Sequence, residues 1–478
     1  MSTNNLDYLF NPRAIAVAGV SSRSEQTPGH AFINGLLGSG YGGDIYPVNA
    51  NGEKALGLKV YKNLKEIPGP IDLVISCIGA PLIPGLLKDC ATKGVKALHL
   101  FTAGFSESGV SDGIMLEKEI CRLAREGNVR ILGPNCMGVH SPKIGVSFDA
   151  GICKESGNVG LICQSGGNTI YIIREAVNRG IRFSKAISYG NGPDINETDL
   201  LEYLSNDPET EIIIAYIEGV RDGKRFFDVL KETTKNKPVI VFKGAQTDAG
   251  TATAVSHTGA MSGSDKIWGG LLKQAGAVHV NSLDELIDMA VGFRFSPLPN
   301  GTEVAVIGFG GGAAVKAADE CVEGGLSLPR LASHIQDEIR SHLPNDTGTI
   351  VSNPVDISGQ IFFKGLHSVL DTLLEYEGAD AILVYLPVGI AWVIPSEEER
   401  IGRFSKIVDI VVKAKKKSNK PLGIAFYSLI TKGEKCAVMD IQRVCYQRGI
   451  PVYLSMSGAA KAINKMAWYA RYKDSTSD

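Results

Sequence analysis

The segment NVGLICQSGG, residues 158–167, shows the pattern that decides the fold of this chain. A short apolar run ends in a glycine turn, and a stretch with helical periodicity follows. A short apolar run that is bounded by glycine is typical of a strand buried in a parallel sheet. The next apolar runs follow the same plan, in FSKAISYGNG (183–192), EIIIAYIEG (211–219) and PVIVFKGA (238–245). This alternation predicts successive βαβ units and therefore an α/β fold.

The same pattern recurs on both sides of this region. Towards the N-terminus the apolar runs are AIAVAGV (14–20), DLVISCIG (72–79), VKALHLFTAG (95–104) and VRILGPN (129–135). Towards the C-terminus they are EVAVIGFGGG (303–312), ADAILVYLPVG (379–389), KPLGIAFYS (420–428) and IPVYLSM (450–456). Each set predicts a parallel sheet with helices on both faces.

Three domains in a row are therefore predicted, at residues 1–145, 146–297 and 298–478. The segment RFSPLPNGT (294–302) contains two prolines and a glycine and is typical of a linker. A chain of 478 residues is long enough for about three domains.

Composition excludes several classes of function. The formal net charge is −2, so no overall field favours nucleic acid or an anionic membrane. The first residues lack the basic start and apolar stretch of a signal peptide, and no apolar run approaches a membrane span. The nine cysteines have no zinc-type spacing and are predicted to be reduced. We expect a cytoplasmic protein without a metal site, a nucleic acid partner or a membrane partner.

The first glycine turn, in AVAGVSSRSEQTPG (16–29), favours a phosphate-bearing ligand. Bare backbone amides beside a helix N-terminus suit phosphate, although a tight turn without a ligand is the alternative. The turn is not GxGxxG. Asn49 and Asn51 lie where a dinucleotide-binding fold usually has an acidic residue, so NAD binding is disfavoured.

Further turns are expected at the same edge of the sheets. GAP (79–81), TAGFSE (102–107) and GPN (133–135) each follow a predicted strand, and carboxyl ends of parallel strands converge on one cleft. In CQSGGN (163–168) a strand delivers Ser165 into a helix N-terminus, which suits a negative charge. A nucleophile elbow is the rival interpretation, but cysteine stands where its first glycine would be.

Glu218 and His257 are the candidate catalytic residues. Glu218 closes an apolar strand, where an unpaired carboxylate is costly to bury, and a histidine is a natural partner for it. His257 lies in AVSHTGAMSGSD (254–265) among glycines and hydroxyl side chains that leave its ring accessible.

Taken in order, GPN, QSGG, SYGN, YIEG, SHTG with GSD, and NPVD resemble the α subunit of NDP-forming acyl-CoA synthetases. These enzymes are relatives of succinyl-CoA synthetase, and ADP-forming acetate–CoA ligase is the typical member. The resemblance covers nearly the whole chain. It implies a Rossmann-like CoA-binding domain followed by two flavodoxin-like domains.

The resemblance also implies a phosphohistidine mechanism. Acyl-CoA and phosphate give an acyl phosphate and free CoA, and His257, oriented by Glu218, takes the phosphoryl group. The residues implied for phosphate are Ser165, Gly166, Gly167 and Asn135. The residues implied for CoA are Gly19, Val20, Ser21, Ser22, Asn49, Ala80, Pro81 and Thr102. The organic acid is the second product.

The final acceptor, ADP with Mg²⁺, belongs to an ATP-grasp domain that is not recognisable in this sequence. A separate β subunit is therefore expected, in an α2β2 assembly. The sequence departs from the family at Ala245 and Gln246, where a basic contact is usual. The alternatives are a regulatory or scaffold protein that binds CoA or acyl-CoA, and a different enzyme such as a dehydrogenase or transferase.

Overall fold

A computed structural model describes most of the chain. The described residues are 6–21, 26–52, 54–247, 249–250, 265–343, 348–357, 362–387, 397–427 and 432–476. Contacts between Cα atoms divide the chain into two compact units. Unit 1 is Met1–Arg174 with Arg182–Asn281, and unit 2 is Glu175–Ile181 with Ser282–Asp478.

The first sheet of unit 1 has five parallel strands in the order β2-β1-β5-β6-β7. Its strands are β1 (Ala14–Ala18), β2 (Asp44–Val48), β5 (Leu73–Ser76), β6 (Ala97–Leu100) and β7 (Arg130–Leu132). A hairpin of β3 (Lys54–Ala55) and β4 (Leu58–Lys59) follows β2. The helices are α1 (Asp7–Phe10), α2 (Pro28–Ser39), α3 (Ile83–Lys93) and α4 (Ser111–Glu126). The strand order reverses between β1 and β5, which is where ligands bind in open α/β sheets.

The second sheet of unit 1 has six strands in the order β13-β12-β11-β9-β10-β8. Its strands are β8 (Gly138–His140), β9 (Val159–Cys163), β10 (Phe183–Ser188), β11 (Ile212–Ile217), β12 (Val239–Lys243) and β13 (Val278–Val280). The helices that follow them are α5 (Gly166–Asn178), α6 (Glu197–Asn206), α7 (Gly223–Asn236) and α8 (Asp265–Gln274). β8 runs antiparallel to β10, and the other pairs are parallel.

The sheet of unit 2 has five parallel strands in the order β15-β14-β16-β17-β18. Its strands are β14 (Val304–Gly308), β15 (Val355–Asp356), β16 (Ala381–Pro387), β17 (Leu422–Tyr427) and β18 (Val452–Tyr453). The first helices of the unit are α9 (Leu283–Phe295), α10 (Gly311–Glu323), α11 (Ser333–His342) and α12 (Phe362–Glu375). The last are α13 (Glu397–Lys415), α14 (Lys432–Gln447) and α15 (Met456–Thr476).

The predicted α/β class with parallel sheets is confirmed. β1, β9 and β14 are buried at every residue, because helices cover both faces of a parallel sheet. The domain boundaries at 145 and 297 stay a prediction. β8, which precedes the first of them, pairs with the second sheet, and α9, which precedes the second, lies in unit 2.

Candidate functional site

A cavity of about 850 Å³ lies in unit 1 at the carboxyl ends of the strands. Turns that follow strands of the first sheet and of the second sheet both contribute to it. Its lining is Pro28, Cys77, Ile78, Gly79, Phe101, Thr102, Ala103, Asn135, Cys136, Met137, Gln164, Ser165, Gly166, Gly167, Gly190, Asn191, Tyr216, Glu218, Ala245 and Gly250. The volume is within the usual range for a small-molecule site.

One wall of the cavity is the turn from β9 into α5. The Ser165 carbonyl accepts the first helical hydrogen bond, from the Thr169 amide at 3.0 Å, and the Ser165 hydroxyl accepts from the Asn168 amide at 3.3 Å. Gly166, the first residue of α5, lies against Met137, since a Cβ there would stand 3.0 Å from the Met137 Cγ. The positive end of a 13-residue helix thus faces the cavity, which favours an anion.

Glu218 stands just beyond the end of β11 and also lines the cavity. Its carboxylate accepts a hydrogen bond from the Tyr216 hydroxyl, with 3.1 Å between the oxygens. Its backbone amide donates to the Gln164 side-chain oxygen at 2.8 Å, and the Tyr189 hydroxyl donates to that same oxygen at 3.1 Å. These hydrogen bonds hold both the backbone and the carboxylate of Glu218 at the wall of the cavity.

The ionisable hydroxyl and thiol groups of the site remain protonated. Burial, with the Glu218 charge, raises the pKa of Tyr216 above its usual range, while a hydrogen bond with Asn168 opposes the shift. Burial raises the pKa to about 12 for the Cys77 thiol, which lines the cavity, and for the Cys163 thiol, which ends β9 and does not line it. A thiolate is the reactive form of cysteine, so the site does not favour either cysteine as a nucleophile.

The first-sheet side of the site is built on close backbone approach. Gly19 has φ +96°, and a Cβ there would lie 2.9 Å from the Cys77 carbonyl carbon, so this turn requires glycine. The Asn49 side chain donates to the Val20 carbonyl at 2.7 Å. The Thr102 hydroxyl donates to the Ile78 carbonyl at 2.7 Å. The first bond connects the end of β2 with that of β1, and the second connects the end of β6 with that of β5.

The structure brings about half of the predicted site residues to the cavity. Those that line it are Thr102, Asn135, Ser165, Gly166, Gly167 and Glu218. Those that do not are Gly19, Val20, Ser21, Asn49, Ala80 and Pro81, of which Val20 and Ala80 are buried and Pro81 is exposed. Ser22 and His257 lie outside the described residues.

Sequence reasoning missed three polar residues of the lining. Gln164 was overlooked beside Ser165. Tyr216 was overlooked although it lies two positions before Glu218, and residues i and i+2 of a strand share a face. Asn191 donates to the Glu107 and Glu117 carboxylates at 2.6 and 2.9 Å, a contact between the two halves of unit 1 that spacing does not reveal.

The sequence departure after β12 also lies at the cavity. Ala245 lines it and has φ +57°, a left-handed conformation that is uncommon for alanine. Gln246 is half-buried beside it.

Among the described residues, the structure contains no helix that is both long and apolar enough to cross a membrane.

Two family models match the chain between residues 13 and 293. A CoA binding domain matches residues 13–142, and a succinyl-CoA ligase like flavodoxin domain matches residues 156–293. The first description names CoA binding and the second names a ligase-like domain, and the cavity is lined by residues of both matches.

Relatives extend the match over the whole chain. The α subunit of the ADP-forming acetate–CoA ligase II of Pyrococcus furiosus is 39% identical over 79% of this chain and 81% of its own. The α subunit of ligase I of the same organism is 33% identical over 98% of this chain and 100% of its own. The chain therefore belongs to the family of ADP-forming acetate–CoA ligases, and it aligns with subunits named alpha.

A solved structure has the same fold. Acetyl-coenzyme A synthetase 1 of Ca. Korarchaeum cryptofilum, described as dinucleotide forming and solved with phosphate and ADP, superposes with a TM-score of 0.84. The sequences are 30% identical, and the match covers 98% of each chain.

Proposed function

We propose that this chain is the CoA-binding, phosphohistidine-bearing α subunit of an ADP-forming acyl-CoA synthetase. The complete reaction converts acyl-CoA, ADP and phosphate into an organic acid, ATP and CoA, and it is reversible. The observation that carries the proposal is one cavity that contains both a helix N-terminus and the Glu218 carboxylate. The first suits phosphate, and the second suits an imidazole ring.

His257 is the proposed phosphoryl carrier. Gly250 lines the cavity and stands seven residues before His257 in the sequence. Seven residues span at most about 25 Å when fully extended, so the chain length allows His257 to reach Glu218. A carboxylate that holds one ring nitrogen leaves the other free to attack phosphorus.

The chemistry takes place in two steps at this cavity. A phosphate oxygen attacks the thioester carbonyl carbon, the C–S bond breaks, and the CoA sulfur leaves as a thiolate. A His257 nitrogen then attacks phosphorus, the bond between phosphorus and the acyl oxygen breaks, and the organic acid leaves as a carboxylate. Ser165, Gly166 and Gly167 hold the phosphate through backbone amides at the N-terminus of α5. Such transfer depends on positioning and neutralisation of charge.

The CoA arm is proposed to enter from the first-sheet side. The lining there is apolar, with Ile78, Phe101 and Met137, which suits an acyl thioester rather than a charged group. The turn from Gly19 to Ser22, with Asn49, Ala80, Pro81 and Thr102, is proposed to bind the rest of CoA. Asn135 joins the phosphate contacts at the same edge of the cavity.

A partner is proposed for the last step. The relatives are named alpha subunits, which favours an assembly with a β subunit. That subunit is proposed to supply an ATP-grasp domain with Mg²⁺ and ADP, in an α2β2 assembly. The alternative of a regulatory or scaffold protein is not favoured, because the relatives are named as ligases.

Transfer of labelled phosphate tests the proposal. The full chain, with and without its β subunit, is incubated with acetyl-CoA and radiolabelled phosphate, and the protein is assayed for acid-labile, base-stable label. We expect label on the wild type and none on His257→Ala. Addition of the β subunit and ADP should move the label into ATP. An unlabelled wild-type chain, or label on the variant, would contradict the proposal.

A further inference from the structure

Strand geometry explains why Tyr216 contacts the Glu218 carboxylate. Residues i and i+2 of a strand point to the same face, so the C-terminal end of β11 and the residue after it present the Tyr216 and Glu218 side chains to the cavity. Ile217, between them, points the other way and is buried. The hydroxyl of Tyr216 lies 3.1 Å from the Glu218 Oε1 and donates to it.

The neighbouring strand β12 fixes the Tyr216 ring. Phe242 is opposite Tyr216 in the sheet register, and the two rings meet edge to face with centroids 5.4 Å apart. Two residues after Phe242, just beyond the end of β12, Gly244 has no side chain. A Cβ at Gly244 would lie 2.7 Å from the Tyr216 hydroxyl and 3.1 Å from the Glu218 Cγ. The glycine therefore leaves the space in which the hydroxyl and the carboxylate meet.

The position of Gly244 is itself held from within the sheet. Lys243 is fully buried, and its ammonium donates to the Gly244 carbonyl and, at 3.4 Å, to the Ala245 carbonyl. On the other side of β11, the Gln164 side chain holds the Glu218 backbone amide. Hydrogen bonds from both neighbouring strands therefore fix the backbone around the Glu218 carboxylate.

We infer that Tyr216 is a positioning residue that holds the Glu218 carboxylate in the orientation in which it receives His257. The inference rests on the proposed function and deepens it, because it assigns a role to a residue that only supports Glu218. A hydrogen bond from a neutral donor to an ionised acceptor is stronger than one between neutral groups. A free glutamate side chain would have to lose its rotamer freedom at every transfer.

The test is Tyr216→Phe, measured as phosphorylation of His257 in the full chain with the β subunit, acetyl-CoA and labelled phosphate. The ring and its contact with Phe242 remain, and one hydroxyl is lost. We expect the maximal rate of labelling to fall about tenfold, since a charge-assisted bond that orients a group is lost. The KM values for acetyl-CoA and phosphate should stay within about twofold, because the phosphate and CoA contacts are unchanged.

A matched control is Tyr203→Phe. The Tyr203 hydroxyl also donates to a carboxylate, that of Asp7 at 3.0 Å, and neither residue lines the cavity. This variant should label His257 at the wild-type rate. Labelling of Tyr216→Phe at the wild-type rate would overturn the inference and leave the proposed function intact. Equal loss in the two variants would overturn it as well.

A second variant makes the test independent of one substitution. Gly244→Ala should slow labelling, because the new Cβ meets both the Tyr216 hydroxyl and the Glu218 side chain. Both substitutions disturb the same contact, so the double variant with Tyr216→Phe should lose less than the product of the two single losses. Strictly multiplicative losses would overturn the inference. A wild-type chain that takes no label on His257 would overturn the proposed function, and the inference with it.

Discussion

The turns after β9 and after β14 have similar sequences, QSGG in unit 1 and FGGG in unit 2, and different surroundings. Each follows a fully buried strand and leads into a helix of 13 residues. At the turn after β14, the Gly310 amide donates to the Asp356 carboxylate at 2.7 Å. At the turn after β9, the carboxylate on the neighbouring strand, Glu218, is held by Tyr216 and lines the cavity.

The difference lies in what the neighbouring strand presents to the turn. In unit 2, the ring of Tyr385 covers Gly308 so closely that a Cβ there would lie 2.6 Å from it, and Phe309 packs on Phe362. A carboxylate and aromatic rings therefore occupy the space beside that turn. In unit 1, Gly166 and Gly167 line the cavity, and the side chain that lies closest to the Cβ position of Gly166 is the flexible Met137. A glycine turn before a helix thus predicts a possible anion site, and its neighbours decide whether the site is accessible.

The largest expected effect comes from exchanging the two carboxylates for amides. Glu218→Gln should slow the labelling of His257 by about 10²–10⁴-fold, with little change in stability, because the amide cannot accept a proton or stabilise an imidazolium. Asp356→Asn should instead lower the free energy of unfolding by about 2 kcal/mol, because the Gly310 amide loses a charged acceptor. Labelling rates and urea denaturation measure the two effects.

The opposite pattern of effects would contradict the stated roles of the two carboxylates, Glu218 in phosphoryl transfer and Asp356 in stability. A Glu218→Gln chain with the wild-type labelling rate would show that the carboxylate has no part in transfer. An Asp356→Asn chain with wild-type stability would show that the bond to Gly310 contributes little.

A second prediction concerns the glycines of the two turns. Gly308→Ala should destabilise the protein by roughly 1–3 kcal/mol, because the new Cβ meets the enclosed Tyr385 ring. Gly166→Ala should cost less than about 1 kcal/mol, because the contact at 3.0 Å is with the flexible Met137 side chain. Thermal unfolding of both variants measures the difference. Equal losses of stability would contradict the stated difference in packing.

A third prediction compares the stability of the two units at acid pH. Burial lowers the pKa of His99 and of His140, both in unit 1, from 6.5 to about 4. Between these pH values the unfolded chain binds more protons than the folded chain, so the free energy of unfolding falls as pH falls from about 6.5 to 4. At pH 5 the loss is on the order of 2 kcal/mol for each histidine.

Hydrogen exchange at pH 7 and pH 5 locates this loss. Protection should fall in unit 1 before unit 2, whose described histidines, His334, His342 and His367, are exposed. His140→Gln should remove about half of the pH-dependent loss, and His334→Gln should leave it unchanged. A loss of protection that begins in unit 2 would contradict the attribution of the acid sensitivity to His99 and His140.

Much of the architecture could be predicted because buried parallel strands are locally encoded. The runs at 14–20, 158–167 and 303–312 contain β1, β9 and β14, and each ends at the turn that its glycine indicates. The position of Ser165 and Glu218 at the cavity could be predicted for the same reason, since each follows the end of such a strand. The role of Asn49 in CoA binding stays a prediction: its side chain donates to the Val20 carbonyl, and it does not line the cavity.

Other features could not be predicted, because they depend on residues far apart in the chain. Asn191 meets Glu117 across 74 positions, and no spacing rule relates them. Gly244 is required where it stands because a hydroxyl from β11 fills the place of its Cβ. The period of two in a strand predicts that Tyr216 and Glu218 share a face. The hydrogen bond between them depends on the geometry at the end of β11.

The sequence by itself determined the order of strands and helices along the chain, the glycine turns and the candidate carboxylate Glu218. Periodicity and backbone preference act over a few residues and can therefore be read locally. Only the tertiary structure decided which turn opens on a cavity. Strand order brings the end of β11 beside that of β9, and Asp356 on β15 beside the turn after β14. Which groups lie beside a turn depends on neighbours across the sheet, and for that reason two similar turns present different surfaces.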